Sequence, residues 1–397
     1  MTTPVGSAQC PPLVTVDTAR YFASPELGAD PDLPQTLIGL YASALFELAF
    51  DCCSSAPADI CAQVEIIKSQ PLPWSAAWHP DLARVERLLA TSMHGESTLN
   101  VLGPMLLRLG AEGVLVEADI GLDPRQAAFW GTLRLPEADR ATFRRDHDRA
   151  EIHLYLRGGL IATVVADRDA ASGLWRSDAI SSVGTVQMCG HPVPVWLPSD
   201  GSGFPLPGKR QALPDATTRV APALDGATSF LTRHAPNFVP WIASGMRHIV
   251  ALDGSDGVLM SASVEEFPGL TFLSFPNPAV ELAESLIHEA SHHHYLALRR
   301  LAPLHDGTDT KQYFSPIKKQ GRPIDMILYA FHAFANAAIY HRNLVRAEPK
   351  YYRLNGRTLD ESLERIRVHD RYLAETRALT EAGETLWKTL SEALFQG

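Results

Sequence analysis

The sequence predicts an α+β fold with a helical N-terminal part, an antiparallel β-rich middle, and C-terminal strands followed by helices. Two observations predict this order. Apolar residues recur at helical spacing near both ends of the chain, and short β-branched and aromatic runs fill the middle. Strands and helices come in blocks, not in alternating βαβ units. At 397 residues the chain exceeds the usual size of a single hydrophobic core, so we expect two or three packed subdomains.

The first of three predicted regions, residues 1–112, is mainly helical. The stretch LPQTLIGLYASALFELAF, from Leu33, carries apolar residues at helical spacing. DLARVERLLATSM follows, with Asp81 in a helix-capping position. The two stretches predict two helices.

The second region, residues 113–235, is predicted to be rich in strands. GVLVEADI, EIHLYLRGGLIATVVADRD and VQMCGHPVPVWLP contain short β-branched and aromatic runs. The Arg-Gly-Gly at 157–159 suits a hairpin turn, although IHLYL could equally continue a charged helix before it. The stretch 197–214, rich in Gly, Pro and Ser, predicts a loop or a join between subdomains.

The third region, residues 236–397, is predicted to hold three strands and then helices. RHIVALDG, VLMSASVEEF and LTFLSF have the composition of strands. Pro276 and Pro278 precede a helix over about 278–300, and a second helix runs from Pro323 to about 346. DESLERIRVHDRYLAETRAL and EAGETLWKTLSEALF predict two closing helices.

Composition and charge exclude several classes of protein. The apolar fraction of 46% and the charged fraction of 20% are those of an ordinary globular chain. The formal net charge of −10 argues against a nucleic-acid partner and against an anionic membrane surface. The sequence shows no secretory signal and no long apolar segment, so we expect a cytoplasmic protein. Five cysteines without a CxxC pair indicate reduced thiols, and nothing indicates the oligomeric state.

The stretch ESLIHEASHHHYL contains the HExxH motif as His288, Glu289 and His292. Residues four apart share one helix face, so the two histidines can present their imidazoles to one metal ion, with Glu289 beside them. The apolar surroundings favour a metal site, because an unliganded His pair and a Glu are costly to bury. His293 and His294 turn away from this face, where a supporting or solvent-facing role is expected.

A catalytic metal also needs a third protein ligand. The helix predicted from Pro323 offers Asp325, Tyr329 and His332 on one face. We expect His332 to be the third ligand, with Asp325 as the competing ligand. The alternative for His332 is a packed core histidine.

A basic loop, DTKQYFSPIKKQGRPID, lies between the two helices and brings Tyr313, Ser315, Lys318 and Arg322 together in sequence. A guanidinium can bind a carboxylate through two parallel hydrogen bonds, so such a loop beside a metal suits a small dicarboxylate. Arg322, at the start of a helix, is the best candidate anchor. The alternative is a solvated basic loop.

HExxH by itself most often indicates a zinc metalloprotease, in which Glu289 acts as general base on a metal-bound water. The continuation HHYLALRRLAPL lacks the glycine and third histidine of the metzincins. The following helix has no glutamate before Glu348, so the thermolysin-type third ligand is missing as well. A zinc peptidase that uses Glu289 stays open as the alternative function.

Three segments in order carry a resemblance to a known family: ELAESLIHEASHHHYLAL, YFSPIKKQGRPID and YAFHAFANAAIYHRNL. They resemble the HEXXH-domain proteins associated with ribosomally made, modified peptides, which are 2-oxoglutarate-dependent peptide β-hydroxylases. The segment SASVEEFPGLTFLSF is similar to the strands that lead into the HExxH helix there. The resemblance covers about residues 240–346, and the N-terminal 230 residues lie outside it.

The resemblance implies a zincin-like helical metal site in the third region, with iron(II) held by His288, His292 and a downstream residue. Dioxygen and 2-oxoglutarate would be co-substrates, and Arg322 would hold the distal carboxylate. Tyr313, Ser315 and Lys318 would complete the co-substrate site.

The same resemblance implies that a precursor peptide is hydroxylated at a side-chain Cβ, with residues 1–235 shaping a groove for it. Glu289 would then lose the role of peptidase base and become a supporting group or proton acceptor near the iron. The chain departs from expectation at two points. Most non-haem iron oxygenases use two His and one carboxylate, which favours Asp325. The following helix of the family also carries a histidine near the position of Tyr329.

Overall fold

The computed structural model describes residues 16–26, 33–51, 72–90, 96–197, 206, 211–257 and 260–395. These residues form the mixed α+β fold that the sequence predicts. The predicted join at 197–214 lies largely outside them. Within them, no helix combines the length and apolarity needed to cross a bilayer.

Helices account for the regular structure of the described N-terminal region. They are α1 (Val16–Ala23), α2 (Leu33–Asp51), α3 (Trp74–Ala77), α4 (Pro80–Ala90) and α5 (Glu96–Glu112). Helices α2 and α4 confirm the two that apolar spacing predicts. Their inward faces bury residues such as Ile38, Phe46, Leu82 and Val85 in one core.

The middle region contains an antiparallel five-stranded sheet in the order β1-β4-β5-β6-β7. Its strands are β1 (Glu117–Gly121), β4 (Arg140–Asp146), β5 (Arg149–Leu156), β6 (Gly159–Arg168) and β7 (Trp175–Arg176), with a small hairpin of β2 (Phe129–Trp130) and β3 (Leu133–Arg134) between the first two. Arg157 and Gly158 have φ of 52° and 78°, as a tight hairpin turn requires. The predicted hairpin is therefore confirmed, and IHLYL is a strand.

A second five-stranded sheet joins the middle region to the C-terminal region in the order β11-β12-β10-β9-β8. Its strands are β8 (Thr185–Met188), β9 (His191–Trp196), β10 (His248–Asp253), β11 (Ser261–Ser263) and β12 (Leu270–Phe275). Strand β10 runs parallel to β9 and β12, and β11 is antiparallel to β12. Since β8 and β9 precede residue 236, this sheet spans the predicted boundary between the second and third regions.

Helices dominate the rest of the chain. Two of them, α6 (Ala216–His234) and α7 (Phe238–Gly245), connect β9 to β10. The later elements are α8 (Ala279–Leu301), β13 (Tyr313–Ser315), β14 (Gln320–Arg322), α9 (Ile324–Ala347), a 3-10 turn (Pro349–Tyr351), β15 (Arg353–Leu354), β16 (Arg357–Thr358), α10 (Leu359–Glu375) and α11 (Glu381–Phe395). The three predicted strands and four predicted helices of this region are confirmed. The β13–β14 and β15–β16 hairpins were not predicted.

Helix α8, which carries the HExxH motif, is held between two cores. Its first half, including Leu286 and Ile287, packs with α6, α7 and the second sheet. Its second half, including Leu296 and Leu298, packs with the N-terminal helices and α9. Each fully buried aliphatic side chain stabilises the fold by about 1.5–3 kcal/mol relative to exposure. The helix is therefore a fixed platform for the motif.

Candidate functional site

His288 and His292 lie on one face of α8, one turn apart, with their ring centroids 4.7 Å from each other and their planes perpendicular. Both side chains are half-buried. Among the described residues, the buried Nδ1 of His292 has no hydrogen-bond partner. The pair thus offers imidazole nitrogen atoms to a ligand.

Both imidazoles are held in the neutral form. Burial, followed by the charges of Arg357 and Lys318, lowers the pKa of His288 to about 4. Burial, followed by the charge of His288, lowers the pKa of His292 well below its ordinary value. Because a metal binds the neutral imidazole, the pair is ready to bind a cation at neutral pH without losing protons.

Aromatic side chains from α9 form the walls around this pair. The Tyr329 ring stacks on His292 with centroids 4.0 Å apart and planes 16° apart. The Phe334 ring packs against His288 at 4.7 Å. The position where the resembling family carries a histidine is thus filled here by a tyrosine that covers one of the two imidazoles.

Glu289 is buried and turns toward strand β11. The Ser263 hydroxyl donates to its Oε2 at 2.7 Å. Burial raises the pKa of Glu289 to about 7, against the opposing effect of hydrogen bonds from Ser261 and Ser263 and of the Lys318 charge. Near neutral pH, Glu289 therefore exists in both its carboxylic acid and its carboxylate form.

His332, the predicted third ligand, is fully buried on α9 and contacts the backbone of α1. Its Nε2 lies 2.8 Å from the Phe22 carbonyl oxygen and 3.0 Å from that of Ala23. Burial lowers the pKa of His332 to about 4. In this arrangement only Nδ1 is left for a metal, so the role of His332 as a ligand stays a prediction.

The competing ligand Asp325 is half-buried in the first turn of α9. Its backbone carbonyl accepts a hydrogen bond from the Tyr295 hydroxyl at 3.2 Å. Its charge is one of the effects that raise the pKa values of Tyr295 and Arg299, which follow His292 along α8. Across the part of the chain that the structure describes, no group of three or more His, Cys, Asp or Glu side chains is arranged to hold a metal ion.

The β13–β14 hairpin places its predicted co-substrate residues in two directions. Lys318 is exposed, and its positive charge adds to the effect of burial on the pKa values of His288 and His292 and opposes that effect for Glu289. The other three residues have different partners. The Tyr313 hydroxyl donates to Asp309 at 2.6 Å, and Ser315 Oγ lies 3.5 Å from His369 Nε2. Burial, followed by the charge of Arg322, lowers the pKa of His369. Lys318 is therefore the member of the set that acts on the histidine pair.

A small cavity beside Phe334 adds residues that sequence reasoning missed. It has a volume of about 30 Å³, and Glu284, Asn355, Arg357 and Arg365 are among its lining residues. Asn355 donates to Glu284 Oε2 at 2.6 Å, and burial raises the pKa of Glu284 to about 7. Glu284 precedes His288 by one helical turn, a spacing that could have identified it. Arg357 lies far away in sequence and gives no such signal.

In comparisons with known proteins, the chain matches no protein-family model, and no curated protein is significantly similar to it.

Proposed function

We propose that this protein is an iron(II)- and 2-oxoglutarate-dependent hydroxylase that oxidises a side-chain Cβ of a peptide. The observation that carries the proposal is the half-buried pair His288 and His292 on one face of α8, whose imidazoles are neutral and one turn apart. The resemblance of residues 240–346 to the peptide β-hydroxylases supports it. In this proposal the third region is a zincin-like catalytic domain.

The residues present fit a divalent metal in two respects. Imidazole is a suitable donor for iron, and both imidazoles are neutral with nitrogen available. His288 and His292 would hold the metal, with His332 through Nδ1 or Asp325 as the third ligand. When bound, iron with 2-oxoglutarate and dioxygen supplies the oxidising power for hydroxylation.

Lys318 and Arg357 are the cations whose charges act on His288, and we assign them to the carboxylates of 2-oxoglutarate. Two positive charges match the two negative charges of this co-substrate, and Arg357 can donate two parallel hydrogen bonds. The cavity beside Phe334 is smaller than a five-carbon dicarboxylate, so binding there requires its lining side chains to move. Arg322, which acts on His369, is the alternative anchor.

Strand β11 gives a peptide substrate a place to bind. It forms the edge of the second sheet among the described strands, and Ser263 in it contacts Glu289 directly. An edge strand presents unpaired backbone N–H and C=O groups, onto which an extended peptide can add as a further strand. A peptide bound in this way would pass along the HExxH helix.

The carboxyl group of Glu289 affects the hydrogen bonding of the serine side chains in strand β11. Its carboxyl group joins α8 to β11 through the serine hydroxyls, so its protonation state sets which hydrogen bonds the edge can make. With a pKa of about 7, it can hold a proton next to the histidine pair or release it.

The same pKa favours a second candidate, a zinc peptidase. A general base works best when its pKa lies near the operating pH, and Glu289 meets this condition. Zinc would then be held by the same two histidines.

The deciding experiment measures succinate. Protein loaded anaerobically with iron(II) is given 2-oxoglutarate and air, with and without candidate peptides, and peptide masses are followed in parallel. We expect succinate formation, accompanied by the gain of one oxygen atom on a substrate peptide. His147→Ala, which alters a side chain that is 96% exposed, is the matched control for His288→Ala. Absence of succinate, together with peptide cleavage in zinc, would replace the hydroxylase by the peptidase.

A further inference from the structure

A second, larger cavity shares no lining residue with the HExxH site. Its volume is about 290 Å³, and it lies where helices α3, α4 and α5 meet both five-stranded sheets. The walls come from these helices, from the β2–β3 hairpin, from the turn after β6, and from β9 and the start of β10. Junctions between structural units are common places for small-molecule sites, and this volume is close to the lower end of their range.

The cavity is strongly positive. Arg84, Arg108, Arg168 and Arg247 line it, and Glu112 is the single carboxylate among its described lining residues. Backbone carbonyls hold two of these arginines: Arg108 donates to Ala76, and Arg168 Nε donates to Gly173 at 2.9 Å. A carbonyl orients a guanidinium without cancelling its charge. Carbonyl oxygen atoms thus orient the guanidinium groups of Arg108 and Arg168 in the cavity wall.

Arg247 is partly buried in the cavity wall. Burial is the main effect that lowers the pKa of its guanidinium, and the charge of Glu112 opposes it. Its backbone N–H donates to Gly269 at 2.8 Å. Gly269 has φ of 76°, and a Cβ there would come within 3.1 Å of the Trp78 carbonyl oxygen and 3.2 Å of Arg247 Cβ. The backbones of Arg247 and Gly269 are therefore hydrogen-bonded and closely packed at this wall of the cavity.

Aromatic rings complete the wall. Phe129 packs edge-on against Trp196 with centroids 4.9 Å apart, and Trp196 Nε1 donates to His248 Nδ1 at 3.1 Å. Trp175 Nε1 donates to the Ala111 carbonyl at 3.0 Å. The polar edges of both tryptophans are thus engaged by the protein, which sets their rings as apolar surface for a ligand.

We infer that this cavity binds a small organic anion that combines a carboxylate or phosphate group with an apolar or aromatic part. The arginines recognise the anionic group through charge-assisted hydrogen bonds, and the rings bury the apolar part. The site is separate from the proposed iron centre, so its occupancy can be measured on metal-free protein and does not depend on the proposed function.

Tryptophan fluorescence reports binding, since Trp175 and Trp196 line the cavity. The metal-free full-length chain is titrated with phenyl phosphate, phenylsuccinate, inorganic phosphate and benzyl alcohol. We expect a saturable change with at least one of the two ring-bearing anions, at least about tenfold tighter than with inorganic phosphate or benzyl alcohol. Tighter binding of phenyl phosphate identifies a phosphate ligand, and tighter binding of phenylsuccinate identifies a carboxylate ligand.

The matched variants are Arg247→Gln and, as control, Arg149→Gln, which removes an arginine whose side chain is 69% exposed on β5. We expect Arg247→Gln to weaken binding of the better probe at least about tenfold and the control to change it less than about twofold. Arg168→Gln is the second variant, used with the same threshold if Arg247→Gln does not fold. The inference is overturned if neither ring-bearing anion binds saturably, or if the control weakens binding as much as the cavity variant.

Discussion

Two pairs of histidines occur within one stretch of α8, and the structure gives them opposite surroundings. His288 and His292 are half-buried and face aromatic rings and cations. His293 and His294 are fully buried and hydrogen-bonded to the protein. Histidines on one helix therefore have two different environments, and the position of each on the helix determines which environment it has.

Each histidine of the buried pair has hydrogen-bond partners within the protein. His293 accepts from the Gly269 N–H at 3.3 Å and its Nε2 lies 3.0 Å from Thr271 Oγ1. His294 stacks on Trp241 with centroids 4.1 Å apart and lies 2.9 Å from the Trp241 carbonyl oxygen. The prediction that both turn away from the 288/292 face is confirmed, whereas a solvent-facing role is wrong. The two pairs thus differ in burial and in the hydrogen bonds of their Nε2 atoms, whereas Nδ1 of both His292 and His294 has no hydrogen-bond partner among the described residues.

The largest expected effect separates the pairs by metal affinity. His292→Ala removes an imidazole whose Nδ1 has no hydrogen-bond partner among the described residues. We therefore expect metal affinity to fall by more than about 100-fold. His294→Ala should change it by less than about tenfold if the protein stays folded. Titration of metal-free protein with zinc or cobalt measures both. Equal losses in the two variants would remove the distinction between the pairs.

The reverse ranking is expected for stability. His294→Ala loses a stacked ring and a buried hydrogen bond, which together cost about 3 kcal/mol in the free energy of unfolding. His288→Ala should cost less, because its side chain is only half-buried. Urea unfolding of metal-free protein gives both values, with His191→Ala, at an exposed position, as the control. A larger loss for His288→Ala would contradict the assignment of His294 as the structural residue.

The pH dependence of stability sharpens the comparison further. Burial lowers the pKa of His294 to about 3, well below the value of about 6.5 that an unfolded chain has. The unfolded state therefore binds the extra proton, and stability falls as the pH drops below 6.5, by up to about 1.4 kcal/mol per pH unit for each such histidine. The raised pKa values of Glu284 and Glu289 act in the opposite direction between about pH 4.5 and 7.

The free energy of unfolding should therefore decline less steeply between pH 6.5 and 5 in His294→Gln, because unfolding takes up one proton fewer. Urea unfolding at several pH values measures the slope, and His147→Gln is the matched control. An unchanged slope in His294→Gln would mean that this ring is not held neutral by burial.

Local signals were enough to predict most of the fold. The glycine turn at 157–159, the two prolines before α8 and the helical spacing within it each act over a few residues. Contacts between residues far apart in the chain leave no such local signal in the sequence. Strand β9 joins β10 across the intervening helices α6 and α7, and His332 meets the carbonyls of Phe22 and Ala23 from the other end of the chain. The spacing predicts which face His332 occupies, but its partner depends on tertiary packing.

The smallest expected effect concerns the cations around the binding pair. Arg322 is the anchor that the sequence favours, because it precedes a helix, yet its charge acts on His369, whereas those of Lys318 and Arg357 act on His288. In a hydroxylase, Arg357→Met should raise the KM for 2-oxoglutarate about tenfold, the loss expected for one charge-assisted hydrogen-bonded contact. Lys318→Met should raise it less, because the side chain is exposed to solvent, and Arg322→Met should leave it within about twofold. Initial rates of succinate release at varied 2-oxoglutarate give the KM of all three variants.

If Arg322→Met gives the largest increase in KM, the carboxylate is held by the β13–β14 hairpin. The charges that lower the pKa of His288 in this structure would then not mark the co-substrate site.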